Sequence, residues 1–428
     1  MNQFGNNIFE TERYNVEYRE RKTGGPAGYE SVYLTDIGDE TKDSFYKFLD
    51  SMEGTFLPAQ KRKLRGRNID SIKKYIEERV GVVSGFKPSG PFHFGHRIVS
   101  DSIKYFQGNG IQTFIPIADS EAFLACSLDK KDYEYFAADN LLDLGAAGID
   151  LDKAHVYLQS EESRIKILAE IAAREIRLED PIDIYGMSKM IDDFPFFFGG
   201  LMQVGDILLP QHPDFGCKTS FMLSGPDQDG HMKMTARLTE RMKERGIAFT
   251  TPSAVYLPHM RGLDGNKFSC SNPEATLFLG AGVNRLSLEE RIIDSIRKIE
   301  EAEKCNSEKS QECASDMCSY ISEFNEALKR NGGEIRALKE NIPFVLRKHY
   351  EARLAVFSYS LQRAFHETDE HELTEKIKRG AERYNVDIYK IEKPSFMEAP
   401  EKAAISEGQR QKTPYFCIIA GAADKIII

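Results

Sequence analysis

Three hydrophobic patterns follow one another over residues 80–119. Residues 80–86 form a short apolar run, typical of a buried parallel strand, and a loop rich in glycine and proline comes next. The segment HRIVSDSIKYFQ carries apolar residues at helical spacing, and GNG at 108–110 is a helix stop signal. The segment IQTFIPIAD then predicts a second buried strand. Together they predict a βαβ unit, the first half of a doubly wound α/β sheet.

Helical patterns dominate most of the remaining chain. Over residues 131–177 they include DYEYFAADNLLDLGAAG and SRIKILAEIAAREI, and the aromatic run DDFPFFFGG follows. We interpret this part as an insertion plus the second half of the sheet. KTSFMLSG predicts a further strand, and GPDQDGHMKMTARLTERMKERG predicts a loop and a helix. Residues 285–366 are almost wholly helical in pattern, whereas the terminal YFCIIAGAADKIII is β-like.

These patterns predict an α/β fold: a Rossmann-like doubly wound parallel sheet with a helical insertion, followed by a mostly α-helical C-terminal domain. The charged and irregular residues 1–75 are interpreted as an N-terminal extension. Residues 76–282 are expected to form the sheet domain, with the insertion near 130–200. Residues 283–428 are expected to form the mainly helical domain.

Composition and charge limit the classes of protein. The 428 residues are 41% hydrophobic and 29% charged, as in ordinary globular proteins. No segment approaches the ~20 apolar residues of a membrane span, and the N-terminus has no apolar core resembling a signal peptide, so we expect a cytoplasmic protein without a membrane partner. The net charge of −10 disfavours general binding to nucleic acid, which would have to use local basic patches.

The seven cysteines have no paired C-x-x-C spacing. This argues against a disulfide framework and a structural zinc site. We expect reduced thiols and no tightly bound metal. Two basic patches are present. One is KRKLRGR at 61–67. The other comprises cations of the C-terminal helical region, interspersed with acids: Lys329, Arg330, Arg336, Lys339, Arg347, Lys348, Arg353 and Arg363. A solvated helical face is the default interpretation of this second patch.

The stretch GFKPSGPFHFGH carries the first candidate chemistry. A glycine-rich turn between a buried strand and a helix presents backbone N–H groups and the positive end of the helix dipole, which suits a phosphate. His93 and His96 add side-chain donors there. Gly95 lies between them and would let a flat ring approach the backbone, because it has no Cβ. The alternative is a pair of ordinary histidines at a helix start.

Residues 88–96, PSGPFHFGH, resemble the first ATP-binding motif, H-x-G-H, of the class I aminoacyl-tRNA synthetases. Smaller nucleotidylyltransferases share that motif. A second stretch, GLDGNKFSCS at 262–271, is similar to the mobile lysine loop of the synthetases, K-M-S-K-S. Such a glycine-hinged loop can close a lysine over pyrophosphate and neutralise the charge that develops as pyrophosphate leaves.

The lysine loop matches its family pattern in part. Lys267, Ser269 and Ser271 fit, whereas Phe268 and Cys270 depart. Cys270 stands where the second lysine would be, a position that varies within the family. The resemblance implies that His93, His96 and Lys267 are catalytic. It also implies an ATP-binding set: Pro88, Ser89, Gly95, Gly225, Asp227, Ser269 and Ser271.

Three further stretches resemble the tryptophanyl-tRNA synthetases, especially the archaeal and eukaryotic kind. GPDQDGHMKMTARL contains a G-x-D-Q-D sequence in which Gln228 would contact the amino acid, although a loop that caps the helix fits the same residues. In LMQVGDILLPQ the resemblance implies that Gln203 holds the α-amino group and that Asp206 accepts the indole N–H. In ADSEAF it implies that Glu121 faces the amino group, the alternative being a helix-start acid.

The choice between tryptophan and tyrosine depends on few residues. A carboxylate at Asp206 can accept from an indole N–H or a phenol O–H equally well. Tyrosyl enzymes generally carry a tyrosine where this chain has Val83, and a smaller residue leaves room for the two-ring indole. Two residues that read the indole in eukaryotic tryptophanyl enzymes align with Val83 and Pro116, and neither can do so here. The indole contact therefore depends on Asp206.

The resemblance implies ATP-dependent activation of tryptophan, with Mg²⁺ on the phosphates, transfer of tryptophan to tRNA, and a homodimer. Residues 61–67 are a candidate for the tRNA acceptor stem. Phe344, Tyr350, Phe357 and Tyr359 would suit stacking on anticodon bases, although core packing explains them as well. Three alternatives stay open: a tyrosyl-tRNA synthetase, a small-molecule adenylyltransferase, and a catalytically silent RNA-binding paralogue.

Overall fold

The computed structural model describes most of the chain between residues 49 and 367. The described residues are 49–57, 64–69, 74, 78–125, 130–185, 190–280, 286–305, 308–331 and 333–367, with 415, 418 and 419. All of them belong to one compact unit, Thr35–Ile428. The second unit, Met1–Leu34, lies outside the described residues.

Within the described residues, a six-stranded sheet forms the centre of the fold. Its strands are β1 (Arg65–Arg67), β2 (Val80–Val83), β3 (Gln112–Ile117), β4 (His155–Leu158), β5 (Thr219–Ser224) and β6 (Ser253–Tyr256). Their order across the sheet is β1-β6-β5-β2-β3-β4. Neighbours from β6 to β4 pair in parallel, and only the edge pair β1 and β6 is antiparallel. The predicted doubly wound parallel sheet is confirmed.

Helices lie on both faces of the sheet. Those of the first part of the chain are α1 (Phe94–Gly108), α2 (Asp119–Ala125), α3 (Lys130–Ala146), α4 (Ser163–Ala173), α5 (Glu179–Tyr185), α6 (Met190–Leu208) and α7 (Asp229–Glu244). One face of the sheet packs on α1 and α3, and the other packs on α4, α6 and α7. Val82 and Val83 are successive residues of β2 and join opposite cores, as expected when side chains alternate along a strand.

The predicted βαβ unit is present as β2, α1 and β3. His93 is the N-cap of α1 in an extended conformation, and the apolar face of the helix is buried. The helix ends at Gly108, and Gly110 has a positive φ of 76°, which glycine adopts without steric cost. Sequence and structure agree here because both strands are largely apolar and buried and the helix carries start and stop signals.

Three strands were not predicted. β4 lies inside the stretch assigned to helices, and β6 lies in a stretch without an assignment. Each has four residues, so local periodicity is weak and pairing with a neighbouring strand decides the conformation. β1 belongs to the basic run at 61–67, and Arg67 donates two hydrogen bonds to Asp229, with Nε–Oδ1 of 2.8 Å and NH2–Oδ2 of 3.0 Å. At least this arginine of the run is therefore engaged within the protein.

The C-terminal region is helical, as predicted. Its helices are α8 (Leu288–Cys305), α9 (Glu308–Tyr320), α10 (Ser322–Asn331) and α11 (Glu334–Glu367). The β-like interpretation of the terminal segment is wrong where the structure describes it: Tyr415, Ile418 and Ile419 are helical. Tyr415 and Ile419 are one helical turn apart and both are buried, so burial of one helical face accounts for the apolar residues.

A buried ion cluster joins α11 to α3. Arg353 NH2 lies 2.6 Å from Asp139 Oδ1, and Arg353 NH1 also pairs with Asp143. His349 Nε2 lies 2.8 Å from the same Asp143 carboxylate. Arg353 is fully buried. Its assignment to a solvated helical face is therefore wrong, because two interior carboxylates of α3 compensate its charge.

Candidate active site

The two histidines of the H-x-G-H stretch stack on each other at the start of α1. Their ring centroids are 3.8 Å apart and the rings are 13° from parallel. The His93 backbone N–H donates to His96 Nδ1 at 3.2 Å. The backbone of His93 and its neighbour Phe94 is held by an extended segment, since Phe94 N–H donates to the Leu277 carbonyl at 3.2 Å and His93 pairs with Phe278.

Both imidazoles are neutral at neutral pH. Burial lowers the pKa of His96 to about 4, and the nearby ammonium of Lys267 contributes. Burial, His96 and Lys267 hold the pKa of His93 well below its usual value. Because His96 Nδ1 accepts a backbone hydrogen bond, the neutral ring carries its proton on Nε2. Each neutral ring therefore carries one N–H that can donate a hydrogen bond.

Lys267 lies beside a carboxylate that also contacts a histidine. Its Nζ is 3.0 Å from Asp227 Oδ2, and the Asp227 Oδ1 is 2.9 Å from His259 Nε2. Hydrogen bonds from His259 and Lys267 and their charges hold the pKa of Asp227 far below its usual value, although burial alone would raise it. Lys267 is half exposed, at 54%, so its ammonium is accessible to a ligand.

The lysine loop is docked on the H-x-G-H stretch through its two non-consensus residues. Phe268 is buried and its ring stacks on His93 with centroids 5.9 Å apart. The Cys270 thiol donates to the Pro91 carbonyl at 3.3 Å. A Cβ at Gly95 would lie 2.9 Å from the His93 ring and 3.0 Å from Phe268 Cβ. The glycine therefore makes room for His93 and for the loop.

The other predicted ATP-site residues lie along the same two stretches. Ser269 and Ser271 have their hydroxyls 2.8 Å apart, and the Ser269 carbonyl accepts from Thr276 at 2.9 Å. Gly225 faces the Asp227 and His259 side chains, and a Cβ there would lie 2.6 Å from His259 Nε2. Pro88 is buried and Ser89 is partly exposed in the loop after β2. The structure thus brings the loop after β2, the loop after β5 and the lysine loop together.

The predicted amino-acid-binding residues cluster along one face of α6. Gln203 and Asp206 are three residues apart, and Gly199 is one turn earlier, so all three share a helix face. Gln203 Nε2 donates to Gln228 Oε1 at 2.9 Å. Glu121 lies against Gly199, where a Cβ would be 3.4 Å from its Cγ. The Glu121 carboxylate also pairs with Lys87 at 3.3 Å.

Asp206 has two partners that sequence reasoning missed. The Tyr157 hydroxyl donates to Oδ1 at 2.9 Å, and Gln159 Nε2 donates to Oδ2 at 2.6 Å. Burial raises the pKa of Asp206 to about 8, although both hydrogen bonds lower it. The negative charges of Glu121 and Asp119 raise it further. Asp206 is thus an interior carboxyl group that neutral donors hold in place.

Sequence reasoning also missed two other partners of the predicted site residues. His259 and Lys87 contact predicted site residues from other parts of the chain, and no local spacing pattern identifies them. The position of Gln159 directly after a strand was a usable signal, since ligands of parallel sheets bind at the carboxyl ends of strands. It was not used because β4 itself was not predicted.

Membrane-spanning helices and clusters of metal ligands are both absent from the described residues. In that part of the chain, no helix has the length and apolar character that crossing a membrane requires. Over the same residues, no group of three or more His, Cys, Asp or Glu side chains is placed to hold a metal ion.

Comparison with known proteins identifies the family. A family model described as tRNA synthetases class I (W and Y) matches residues 74–366. The chain belongs to this family. The match includes both ATP-site stretches, the α6 face and the C-terminal helices α8 to α11. The resemblance stated from the sequence motifs is confirmed at this level.

Individual relatives are archaeal. The chain is 38% identical over 214 residues to the Tryptophan–tRNA ligase of Hyperthermus butylicus, covering 47% of this chain and 54% of that protein. It is 36% identical over 217 residues to that of Methanocaldococcus jannaschii, covering 50% and 57%. The chain thus spans about half the length of these relatives. The crystal structure of tryptophanyl-tRNA synthetase from Aeropyrum pernix aligns with a TM-score of 0.60 and 25% identity, over 71% of this chain and 87% of that one.

Proposed function

We propose that this class I synthetase is a tryptophan–tRNA ligase, which activates tryptophan with ATP and transfers it to tRNA. The observation that carries the proposal is the docking of the lysine loop on the H-x-G-H stretch, through Phe268 on His93. The proposal is supported by the proximity of Lys267 to both histidines, whose pKa values are lowered by burial and by the charge of Lys267. The names of the archaeal relatives support tryptophan as the substrate.

In the proposed first step, the carboxylate of tryptophan attacks the α-phosphate of ATP, and pyrophosphate leaves. His93 and His96 donate as neutral imidazoles, and Lys267 supplies positive charge. Donors fixed in place before the reaction stabilise developing charge without reorganisation. The lysine must exchange its contact with Asp227 for the phosphates, which its half-exposed position allows. No covalent enzyme intermediate is required.

The remaining predicted residues divide between the two substrates. We propose that ATP contacts Pro88, Ser89, Gly95, Gly225, Asp227, Ser269 and Ser271. We propose that tryptophan contacts Glu121, Gln203, Asp206 and Gln228. The hydrogen bond between Gln203 and Gln228 supports a shared amino-acid site. Mg²⁺ would enter on the ATP phosphates, the usual way in which this ion is bound in phosphoryl-transfer sites.

The second substrate in this proposal is tRNA. We divide the chain into an extension (1–75), whose residues 65–67 join the sheet as β1, a catalytic domain (76–282, with its insertion near 130–200, which contributes β4) and a helical tRNA-binding domain (283–428). Exposed cations on the C-terminal helices, such as Lys329, support the last part. Of the aromatic residues considered for base stacking, Phe344 is 60% exposed, whereas Phe357 and Tyr359 are buried and serve core packing.

We further propose a cytoplasmic homodimer. Apolar side chains at the start of α6 are exposed, with Phe194 at 53% and Phe198 at 44%. Further exposed apolar residues of this part of the chain are Phe123, Ile167 and Ile182 on other helices, and Leu178 in the turn before α5. Contiguous exposed apolar surface marks sites of protein association. Sedimentation analysis of the purified protein and of Phe194→Glu tests the dimer, which the charged side chain should dissociate.

The decisive experiment is ATP–pyrophosphate exchange with each of the twenty amino acids. Exchange with tryptophan alone is expected. Exchange with tyrosine instead would favour a tyrosyl enzyme and contradict the interpretation of Val83, which a Val83→Tyr variant would then test. Absence of exchange with every amino acid, also in the presence of tRNA, would favour a catalytically silent RNA-binding paralogue.

The same assay tests the role of Lys267. Lys267→Ala should slow exchange about 10²-fold or more, as loss of a transition-state donor typically does, with a smaller effect on tryptophan binding. Lys243→Ala is the matched control, because Lys243 is an exposed lysine in the last turn of α7. Equal exchange rates in the two variants would refute the assignment of the lysine loop.

A further inference from the structure

Strand β4 brings two polar side chains to the α6 side of the sheet. Tyr157 pairs with Pro116 of β3 and packs in the same core as Val83 of β2. Val83 and Pro116 have no side-chain polar atoms, so the polar groups here come from β4 and its first following residue. These are the Tyr157 hydroxyl and the Gln159 amide, and both bond to Asp206 of α6.

The three side chains form a buried group with defined donor directions. Tyr157 is 1% exposed, Gln159 0% and Asp206 3%. One donor occupies each oxygen of Asp206, and the carbonyl-type oxygen of a carboxyl group has two lone pairs whether or not the group is protonated, so at least one acceptor position stays open. Two donors that come from one strand also prevent the carboxyl group from rotating. Asp206 is therefore held as an oriented hydrogen-bond acceptor.

Gln159 adds a second acceptor. Its amide turns Nε2 toward Asp206, and its Oε1 then points elsewhere. Within the described residues this Oε1 is buried and has no hydrogen-bond partner. A buried acceptor without a donor is costly. An aromatic ring that brings an N–H between α6 and the sheet would supply a donor to this pair of acceptors, whereas a ring without a donor would not.

We propose that Tyr157 and Gln159 are positioning residues that fix Asp206 to accept the ring N–H of the substrate, and thereby set the preference for tryptophan over rings without a donor. The inference rests on the proposed tryptophan activation and identifies residues that no motif of the chain indicated. Neither residue needs to touch the reacting carboxylate. Their effect is therefore confined to recognition of the amino acid and leaves ATP binding unchanged.

The test compares two substrates in ATP–pyrophosphate exchange. L-Tryptophan carries the ring N–H, and β-(3-benzothienyl)-L-alanine has sulfur in its place with almost the same shape. The wild-type protein should prefer tryptophan in kcat/KM. Tyr157→Phe and Gln159→Met should each lower that preference about tenfold, since loss of one partner of a buried hydrogen-bonding group typically costs about one factor of ten. The KM for ATP should stay within about twofold of wild type, because neither residue is assigned to the ATP site.

Tyr105→Phe is the matched control. Tyr105 also donates a hydroxyl hydrogen bond, 2.8 Å to the Leu49 carbonyl, and it lies on α1, outside this group. It should not change the preference. Thermal unfolding shows whether each variant is folded, and Gln159→Met decides the question if Tyr157→Phe is not folded. Folded variants with an unchanged preference would overturn the inference alone. A wild-type protein without tryptophan-dependent exchange would overturn the proposed function, and the inference with it.

Discussion

Replacing Arg353 with methionine tests whether the buried ion cluster stabilises the contact between α11 and α3. The guanidinium lies between Asp139 and Asp143, and all three side chains are at most 1% exposed. Removing one partner from a buried ion pair costs about 3–5 kcal/mol, because the remaining charge stays buried. Here two carboxylates lose the same partner. His349 still contacts Asp143 at 2.8 Å and the Arg291 cation remains near both carboxylates, but Asp139 loses its direct ion-pair partner.

We therefore expect Arg353→Met to lower the free energy of unfolding by about 3–5 kcal/mol. Burial raises the pKa of Asp139 and Arg353 lowers it, so loss of Arg353 should raise this pKa further. Protonation then relieves part of the cost at low pH, and the destabilisation should be larger at pH 8 than at pH 5. Urea unfolding followed by far-UV circular dichroism measures both effects. The chain contains no tryptophan, so indole fluorescence cannot be used.

Arg336→Met is the control on the same helix. Arg336 is 71% exposed and pairs with Glu340 at the surface, where ion pairs contribute little. A second comparison adds Asp139→Asn and Asp143→Asn to Arg353→Met, which removes the uncompensated charges and should restore a large part of the stability. The reasoning is refuted if Arg353→Met unfolds within about 1 kcal/mol of wild type, well below the range for a broken buried pair.

Two further predictions concern the site. Burial raises the pKa of Asp206 from 3.8 to about 8, so the folded chain keeps a proton that the unfolded chain releases, and this group's contribution to stability is lost as pH rises from about 4 to about 8. Asp206→Asn should remove this pH dependence in urea unfolding; an identical slope with pH in both proteins would contradict it. Phe268→Ala should slow pyrophosphate exchange about 10²-fold, because the lysine loop loses its stacking on His93. A displacement of the Lys267 ammonium by about 1 Å is enough to lower the rate by that factor. Phe344→Ala, at a 60% exposed position, is its control, and equal rates would exclude an anchoring role.

Elements with strong local signals were predictable, and those that depend on distant partners were not. The unit of β2, α1 and β3 follows from apolar runs, a helical apolar face and glycine stops. β4 and β6 have four residues each, and their conformation depends on pairing with β3 and β5. Tyr415, Ile418 and Ile419 were assigned to a β-like segment, because so short an apolar segment fits both the helical and the strand period.

The candidate site shows the same division. Residues on the glycine loop and the lysine loop were predicted because each motif is a continuous run of neighbouring residues. The structure brings the two loops together through Phe268 and His93. Phe268 was noted only as a departure from the family pattern. Its role as the contact between the two loops depends on a ring that lies far away in the chain.

Buried charge is the part of this molecule that sequence periodicity represents least well. Arg353 and the exposed Arg336 each follow a glutamate by two residues, yet one is an interior partner of two carboxylates and the other is a surface residue. Asp206 was identified, but the donors that orient it come from a strand that was not predicted. In both cases the side chain is tolerated inside because a distant element supplies its partner. Such a partner depends on the fold and not on local spacing. The donors to Asp206, Tyr157 and Gln159, are therefore identified only once β4 is placed beside β3.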